Sequence, residues 1–289
     1  MRYEGIIYRP PSEAYSYILQ VTIGCSHNQC AFCNMYKEKK FRIRPIKEIK
    51  EDLMTCKNTY GTQVKRIFLA DGDALILPTE QLLDILYFIQ DTMPWVERVS
   101  SYAAPKDLLL KSPEELSSLY KAGLSLLYLG AESGDDKILQ HIHKGVTSKE
   151  IITACHKASD AGFAMSITLI SGLAGVAGLK EHAIASARLI SEIRPKYLGF
   201  LTLMLEPGTE TTKEVKEGKL QLLNPEQVMD EMELFLTNID SPGTIFRANH
   251  ASNYVSLKGT LNTDKELLLS QIQHAREHLN FKSEGFRRL

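Results

Sequence analysis

The sequence has no uninterrupted apolar stretch of about 18 residues, the length a membrane-crossing helix needs, so no membrane span is expected. It has no charge excess either: 34 basic residues stand against 35 acidic ones, which removes a global electrostatic footprint for nucleic acid or an anionic membrane. The opening residues, MRYEGIIYRPPSEAY, lack the basic and then apolar regions of a secretory signal. No H-E-x-x-H, G-x-S-x-G or G-x-x-x-x-G-K-[ST] segment occurs, so the common hydrolase and P-loop readings have no footing. Solenoid repeats, low-complexity tracts and Pro/Gly/Ser-rich linkers are also missing. Cysteine is scarce and uneven: Cys25, Cys30 and Cys33 share one short segment, while Cys56 and Cys155 stand alone. That is no secreted disulfide framework, and a reducing, cytoplasmic compartment is expected.

What is present is an α/β pattern. With 289 residues, 44% of them hydrophobic, the chain can bury a full core. Residues 15–23 (YSYILQVTI) read as a strand entering the cysteine segment. Ile46, Ile49, Leu53 and Cys56 then recur at helical spacing. RIFLA (66–70), VSSYAA (99–104), LSLLYLG (124–130), FAMSITLI (163–170) and YLGFLTLM (197–204) read as further strands. Between them lie helix-like stretches, several opened by capping signals: Ser112-Pro113-Glu114-Glu115, Thr147-x-x-Glu150, Asn224-Pro225-Glu226-Gln227 and Thr263-x-x-Glu266. A helix is expected over 180–193. About six βα units in series predict a parallel sheet, either doubly wound or a full or partial barrel.

The polar residues fall at one end of these strands. The cysteine loop follows the first, Asp71-Gly72-Asp73 the second, Pro105-Lys106-Asp107 the third and Glu132-Ser133-Gly134 the fourth. Ser171-Gly172 follow the fifth and Glu206-Pro207-Gly208-Thr209 the sixth. In a parallel α/β protein these are the carboxyl ends, where ligands bind. Clustered thiolates are soft ligands for zinc, copper or iron–sulfur centres. Three of them without an obvious fourth leave a coordination position open.

The loop, C-x4-C-x2-C with an aromatic in Cys30-Ala31-Phe32-Cys33, resembles the cluster loop of the radical S-adenosylmethionine superfamily, whose usual spacing is C-x3-C-x2-C. LADGDAL (69–75) is similar to that family's Gly-Gly-Glu segment and GAESGDDKIL (130–139) to its Glu-Ser-Gly segment. ITLISGLAG (167–175) resembles the glycine-bearing segment after the fifth strand, in the manner of the cobalamin-associated and methylthiotransferase-like branch. The resemblance spans roughly residues 15–205, four motifs in order. It implies a (β/α)6 partial TIM-type barrel over 1–210, with a C-terminal helical extension, 211–289, packed on it and not an independent domain. It implies a [4Fe–4S] cluster on Cys25, Cys30 and Cys33 whose unique iron binds S-adenosylmethionine, reductive cleavage to a 5′-deoxyadenosyl radical, and hydrogen abstraction from a substrate. A one-electron reductant protein of flavodoxin or ferredoxin type is the implied partner, and a small molecule or peptide is favoured over nucleic acid as substrate.

Carried over position by position, Phe32 would contact the adenine region, and Asp71, Gly72 and Asp73 would face the methionine ammonium. Glu132 and Ser133 would meet ribose or the methionine moiety, and Ile170, Ser171 and Gly172 would pass backbone groups to adenine. Arg42 or Arg44 is the candidate for the methionine carboxylate. In the polar segment 245–259, His250 and Tyr254 are the candidate proton or hydrogen-atom partners, the alternative being a solvated connection. The basic run 37–50 reads as a solvated face or, alternatively, a surface for phosphates or a carboxylate. Two other metal readings stand beside the radical one. His27 could complete a Cys3His zinc site in a binding module, and Cys56 or Cys155 could be the distant ligand of a [2Fe–2S] electron-transfer protein. The apolar stripes around both cysteines favour core packing instead.

Overall fold

A computed structural model describes residues 2–287. Its strands are β1 (Tyr17–Gln20), β2 (Thr22–Ile23), β3 (Arg42–Ile43), β4 (Arg66–Ala70), β5 (Arg98–Tyr102), β6 (Leu124–Glu132), β7 (Ala164–Ser171), β8 (Tyr197–Thr202), β9 (Ile245–Ala248) and β10 (Leu257–Thr260). Its helices are α1 (Ile46–Tyr60), α2 (Thr79–Thr92), α3 (Pro105–Leu110), α4 (Pro113–Lys121), α5 (Asp136–His141), α6 (Ser148–Asp160), α7 (Gly175–Ile193), α8 (Glu210–Lys216), α9 (Pro225–Asn238) and α10 (Lys265–Glu277). Eight strands form one sheet in the order β1-β4-β5-β6-β7-β8-β9-β10, while β2 and β3 make a separate antiparallel pair. Parallel pairing joins β1 to β4, β4 to β5, β5 to β6, β7 to β8 and β8 to β9. At the end of this sheet the hairpin of β9 and β10 is antiparallel. Among the described residues no helix is long and apolar enough to cross a membrane.

The chain divides into two compact units. The first comprises residues up to Asn28, Met35–Leu129 and Thr153–Met165. Ile67, Phe68, Leu69 and Ala70 of β4 are all fully buried, the continuous apolar run expected of a parallel strand covered on both faces. Helix α1 turns Ile49, Leu53 and Cys56 inward, as their spacing requires. In α4 Ser112 accepts from the Glu115 N–H, and the Glu115 carboxylate accepts from the Ser112 N–H.

The second unit comprises Gln29–Asn34, Gly130–Ile152 and everything from Ser166 onward. Helices α7 and α9 pack together, α7 burying Ala183, Ala187 and Ile190 and α9 burying Val228, Met232, Phe235 and Leu236. Residues 211–287 lie in this unit, and they are not only helical: β9 extends the sheet beside β8.

Three other features differ from the sequence reading. Residues 15–23 contain two short strands: the ladder to β4 ends with the Val21 N–H donating to the Ala70 carbonyl at 2.5 Å, and Thr22 and Ile23 pair with β3 instead. Helix α7 begins at Gly175, not residue 180, and Gly175 with φ +61° turns the chain out of the preceding segment. The Pro105-Lys106-Asp107 punctuation opens α3, where the Asp107 carboxylate accepts from the Ala104 N–H at 3.2 Å.

Helix α9 is capped by Asn224, whose Oδ1 accepts from the Gln227 N–H at 2.9 Å while Gln227 Oε1 accepts from the Asn224 N–H at 3.0 Å. Replacing Asn224 with Ala is expected to cost about 1 kcal/mol of stability. The check is urea unfolding, with a lower midpoint and an unchanged slope.

Candidate cluster and cofactor site

The cysteine segment draws its local order from short polar contacts and from backbone clamps. In the first unit, Gly24 (φ +78°) donates its N–H to Asp71 Oδ2 at 3.1 Å, and its carbonyl accepts from the Gly72 N–H at 3.2 Å. Cys25 follows, and the next residue, Ser26, donates its hydroxyl to the buried Asp73 carboxylate. In the second unit, Ala31 is held on both sides: its N–H donates to the Ile142 carbonyl at 3.0 Å and its carbonyl accepts from the Thr211 N–H at 3.1 Å. The Cys33 N–H closes the Cys30–Cys33 turn on the Cys30 carbonyl at 3.2 Å. Phe32 packs on an apolar cluster formed by Ala31, Ile142, Ile170, Leu173 and Leu203. The expected adenine contacts Phe32 and Ile170 therefore share one apolar surface.

Asp71 is a hub of the first unit. Its Oδ2 accepts from Gln20 Nε2 at 3.0 Å, from the Gly24 N–H and from Lys39 Nζ at 2.7 Å, and its side chain is fully buried. Oδ1 is buried with no hydrogen-bond partner, so one polar atom remains for a donor. Gly72 has no room for a side chain, since a Cβ would lie 2.5 Å from the Tyr36 ring.

Glu132 ends β6 in the left-handed region, φ +67°, which costs a residue with a side chain about 1–3 kcal/mol and is commonest at functional positions. Its carboxylate pairs with Lys144 Nζ at 3.1 Å. Ser133 is buried and its Oγ accepts from the Asp135 N–H at 3.0 Å, so it shapes the turn. Gly134 packs against α7, where a Cβ would meet the Ala185 carbonyl oxygen at 2.3 Å.

At the end of β7 the backbone groups expected to face adenine already have partners. The Ser171 carbonyl accepts from the Leu203 N–H at 2.9 Å and the Gly172 carbonyl from the Gly175 N–H at 3.1 Å. The Ser171 hydroxyl donates to Glu231, as does the Gly172 N–H at 2.9 Å. Glu231 also lies 2.6 Å from His182 Nδ1. Sequence reasoning passed over both Glu231 and His182. The available signal was a glutamate in register with the apolar face of α9, at Val228, Glu231, Met232 and Phe235.

The basic run is largely paired within the chain. Arg42 holds Glu4, Arg44 is buried on Asp52 at 2.8 Å and the Gln20 carbonyl at 2.7 Å, and Lys50 meets Asp84 at 2.7 Å. The polar segment 245–259 is β9, a tied loop and β10. Ser252 Oγ accepts from the Thr202 N–H at 3.2 Å, and Asn253 bonds the Thr202 hydroxyl and the Phe200 carbonyl. His250 Nδ1 accepts from the Ser252 N–H at 3.2 Å, and burial holds the ring's pKa below its usual value, favouring neutral imidazole. The Tyr254 hydroxyl donates to Glu284 at 2.6 Å under the Arg287 guanidinium, and burial pushes its pKa up to about 12. Tyr254 thus lies inside an existing network with Glu284 and Arg287.

The donor set fits an iron–sulfur cluster: three thiols, none in a disulfide and all partly exposed, follow one strand. Cys56 and Cys155 are fully buried, and desolvation pushes their thiols up to about 11 and about 12. These are core residues in a setting that opposes the thiolate a ligand must be. Among the described residues no three His, Cys, Asp or Glu side chains gather around a single-ion position. The zinc and [2Fe–2S] readings gain no support.

Residues 19–182 match the Radical SAM superfamily, and the chain belongs to it. The cofactors of this family are a [4Fe–4S] cluster and S-adenosylmethionine. Among curated relatives, the heme chaperone HemW of Bacillus subtilis is 26% identical over 230 residues, covering 76% of this chain and 58% of that protein. An uncharacterized methyltransferase of Pyrococcus horikoshii, PH0819, is 24% identical over 194 residues, covering 66% and 40%. The chain thus spans roughly half the length of the curated relatives it matches. Among solved structures, methylornithine synthase superposes with a TM-score of 0.55 at 17% identity, covering 89% of this chain and 68% of that one. Coproporphyrinogen III oxidase of Escherichia coli gives 0.57 at 16%, covering 94% and 61%. At such identity these structures establish the fold, a mostly parallel partial-barrel α/β architecture.

Because thiolate is the reacting form, iodoacetamide at pH 8 is expected to label Cys25, Cys30 and Cys33 in the reduced, metal-free native protein. Cys56 and Cys155 should be labelled only after denaturation, as peptide mass spectrometry can establish.

Proposed function

We propose that this chain is a radical enzyme that cleaves S-adenosylmethionine reductively and abstracts a hydrogen atom from a small-molecule or peptide substrate. The observation that carries the reading is the match over residues 19–182, which includes the three-cysteine loop and the three other strand-end motifs. When bound, the [4Fe–4S] cluster and S-adenosylmethionine would supply the electron transfer and the 5′-deoxyadenosyl radical.

The chain's own residues hold and orient. Cys25, Cys30 and Cys33 are the cluster ligands. Phe32 and Ile170 offer apolar surface to adenine, in place of backbone groups from Ser171 and Gly172 that are already engaged. Glu132, held by Lys144, accepts from ribose hydroxyls. Asp71 and Asp73 supply negative charge for the methionine ammonium beside Gly72, with Asp71 Oδ1 the available acceptor. Arg42 serves the methionine carboxylate only by leaving Glu4, and Ser133 acts through the turn it caps. His250 and Tyr254 are the proposed substrate-side partners. A flavodoxin- or ferredoxin-type protein is the proposed reductant, in the cytoplasm.

A second reading rests on the Bacillus subtilis relative: heme is the ligand, and delivering it is the task. Anaerobic reconstitution separates the two. The enzyme reading expects about four irons and four sulfides per chain, a cluster spectrum altered by S-adenosylmethionine, and 5′-deoxyadenosine after reduction. Changing any of Cys25, Cys30 or Cys33 to Ala should remove the iron, whereas Cys155→Ala should retain it. Stoichiometric heme binding with a Soret band and no 5′-deoxyadenosine would favour the second reading. Zinc alone, or two irons without response to S-adenosylmethionine, would refute the first.

A further inference from the structure

We infer that Glu231, together with His182, is a positioning pair for the S-adenosylmethionine site, supplied in part by a segment outside the family-matched residues 19–182. The inference rests on the radical-enzyme reading above. Glu231 stands on α9, is fully buried, and accepts at one carboxylate oxygen from both the Ser171 hydroxyl and the Gly172 N–H. Its other oxygen meets His182 Nδ1 on α7, an arrangement in which Nδ1 carries the hydrogen when Glu231 is a carboxylate. His182 is itself buried, and its Nε2 has no hydrogen-bond partner.

Burying a carboxylate is costly unless its lone pairs are satisfied. Here three donors satisfy it, and two belong to the residues where β7 turns toward α7. Gly172 lies at φ +85°, a conformation glycine adopts without strain, and from it the N–H reaches the Glu231 carboxylate. The held residues carry the surface proposed to receive adenine. Ile170 and Leu173 flank Ser171-Gly172, and the Ser171 carbonyl fixes the Leu203 N–H. Ile170, Leu173 and Leu203 are in turn the cluster on which Phe32 of the cysteine loop packs. Contact therefore runs from the Glu231 carboxylate to the strand end, to the apolar cluster, to the aromatic between Cys30 and Cys33. Had packing alone been required, an apolar residue at 231 would continue the α9 face without this desolvation cost.

The test is S-adenosylmethionine affinity, read from the cofactor-induced change in the electron paramagnetic resonance signal of the reduced cluster in the reconstituted full chain. Glu231→Gln should retain wild-type iron content but weaken S-adenosylmethionine binding on the order of tenfold, the equivalent of about 1.4 kcal/mol. His182→Ala should do the same, and His182→Asn, which keeps a donor toward Glu231, should recover most of the loss. Asn224→Ala is the control, since it destabilises the same helix from its cap and should leave affinity within twofold of wild type. If Glu231→Gln does not fold, the two His182 variants decide. Affinity unchanged in Glu231→Gln and His182→Ala, or lowered equally by Asn224→Ala, overturns the inference while leaving the proposed function standing. A wild-type protein that assembles a cluster unresponsive to S-adenosylmethionine, or none, overturns both.

Discussion

A carboxylate sealed from water must collect donors, and two such carboxylates organise the strand ends of this protein. In the first unit Asp71 takes Gln20, Lys39 and the Gly24 N–H; in the second Glu231 takes Ser171, His182 and the Gly172 N–H. Each includes the backbone of a glycine turn among its donors, and each turn directly follows or precedes a position implicated in cofactor binding. Removing a partner from such a group leaves a buried charge uncompensated, which is costlier than the loss of the contact itself. The geometry of these turns is therefore held much more firmly than exposed loops usually are.

Much of the fold was legible because its signals are local. Strands covered on both faces need continuous apolar runs, and RIFLA supplies one whose last four residues are fully buried. Capping boxes at Ser112 and Asn224 use partners three residues apart, so both were readable in one dimension. The cysteine loop and the Asp-Gly-Asp and Glu-Ser-Gly segments were legible for a related reason: short runs of unusual residue types follow strands. Family membership over residues 19–182 bears out the resemblance that these segments carry.

The remainder depends on contacts distant in sequence. Nothing near Ser171 or Gly172 announces that their polar groups are consumed by a glutamate about sixty positions away. A buried glutamate and an exposed one look alike until the face of the helix is known. Likewise, β9 and β10 are only four residues each, too short for periodicity to separate from loop, and their strand character comes from pairing with β8 and with each other. The segment around Tyr254 read as rich in spare donors because its partners, Thr202, Phe200 and Glu284, lie elsewhere in the chain.

The double hold on Ala31 bears on how the cysteine loop tolerates change. Both hydrogen bonds use peptide groups, so they fix the register of Cys30 and Cys33 against Ile142 and Thr211, while the buried side chain at 31 must stay small and apolar to fit its cluster. The stretch between Cys25 and Cys30 is held differently, through side chains: Ser26 donates to Asp73, and Asn28, at φ +42°, donates its side-chain amide to the Tyr36 carbonyl while its own carbonyl accepts from Lys37 Nζ at 2.7 Å. The departure from the family's usual three-residue gap thus falls in a segment held by side chains, upstream of an anchor held by peptide groups, and insertions there should be better tolerated than one between Cys30 and Cys33.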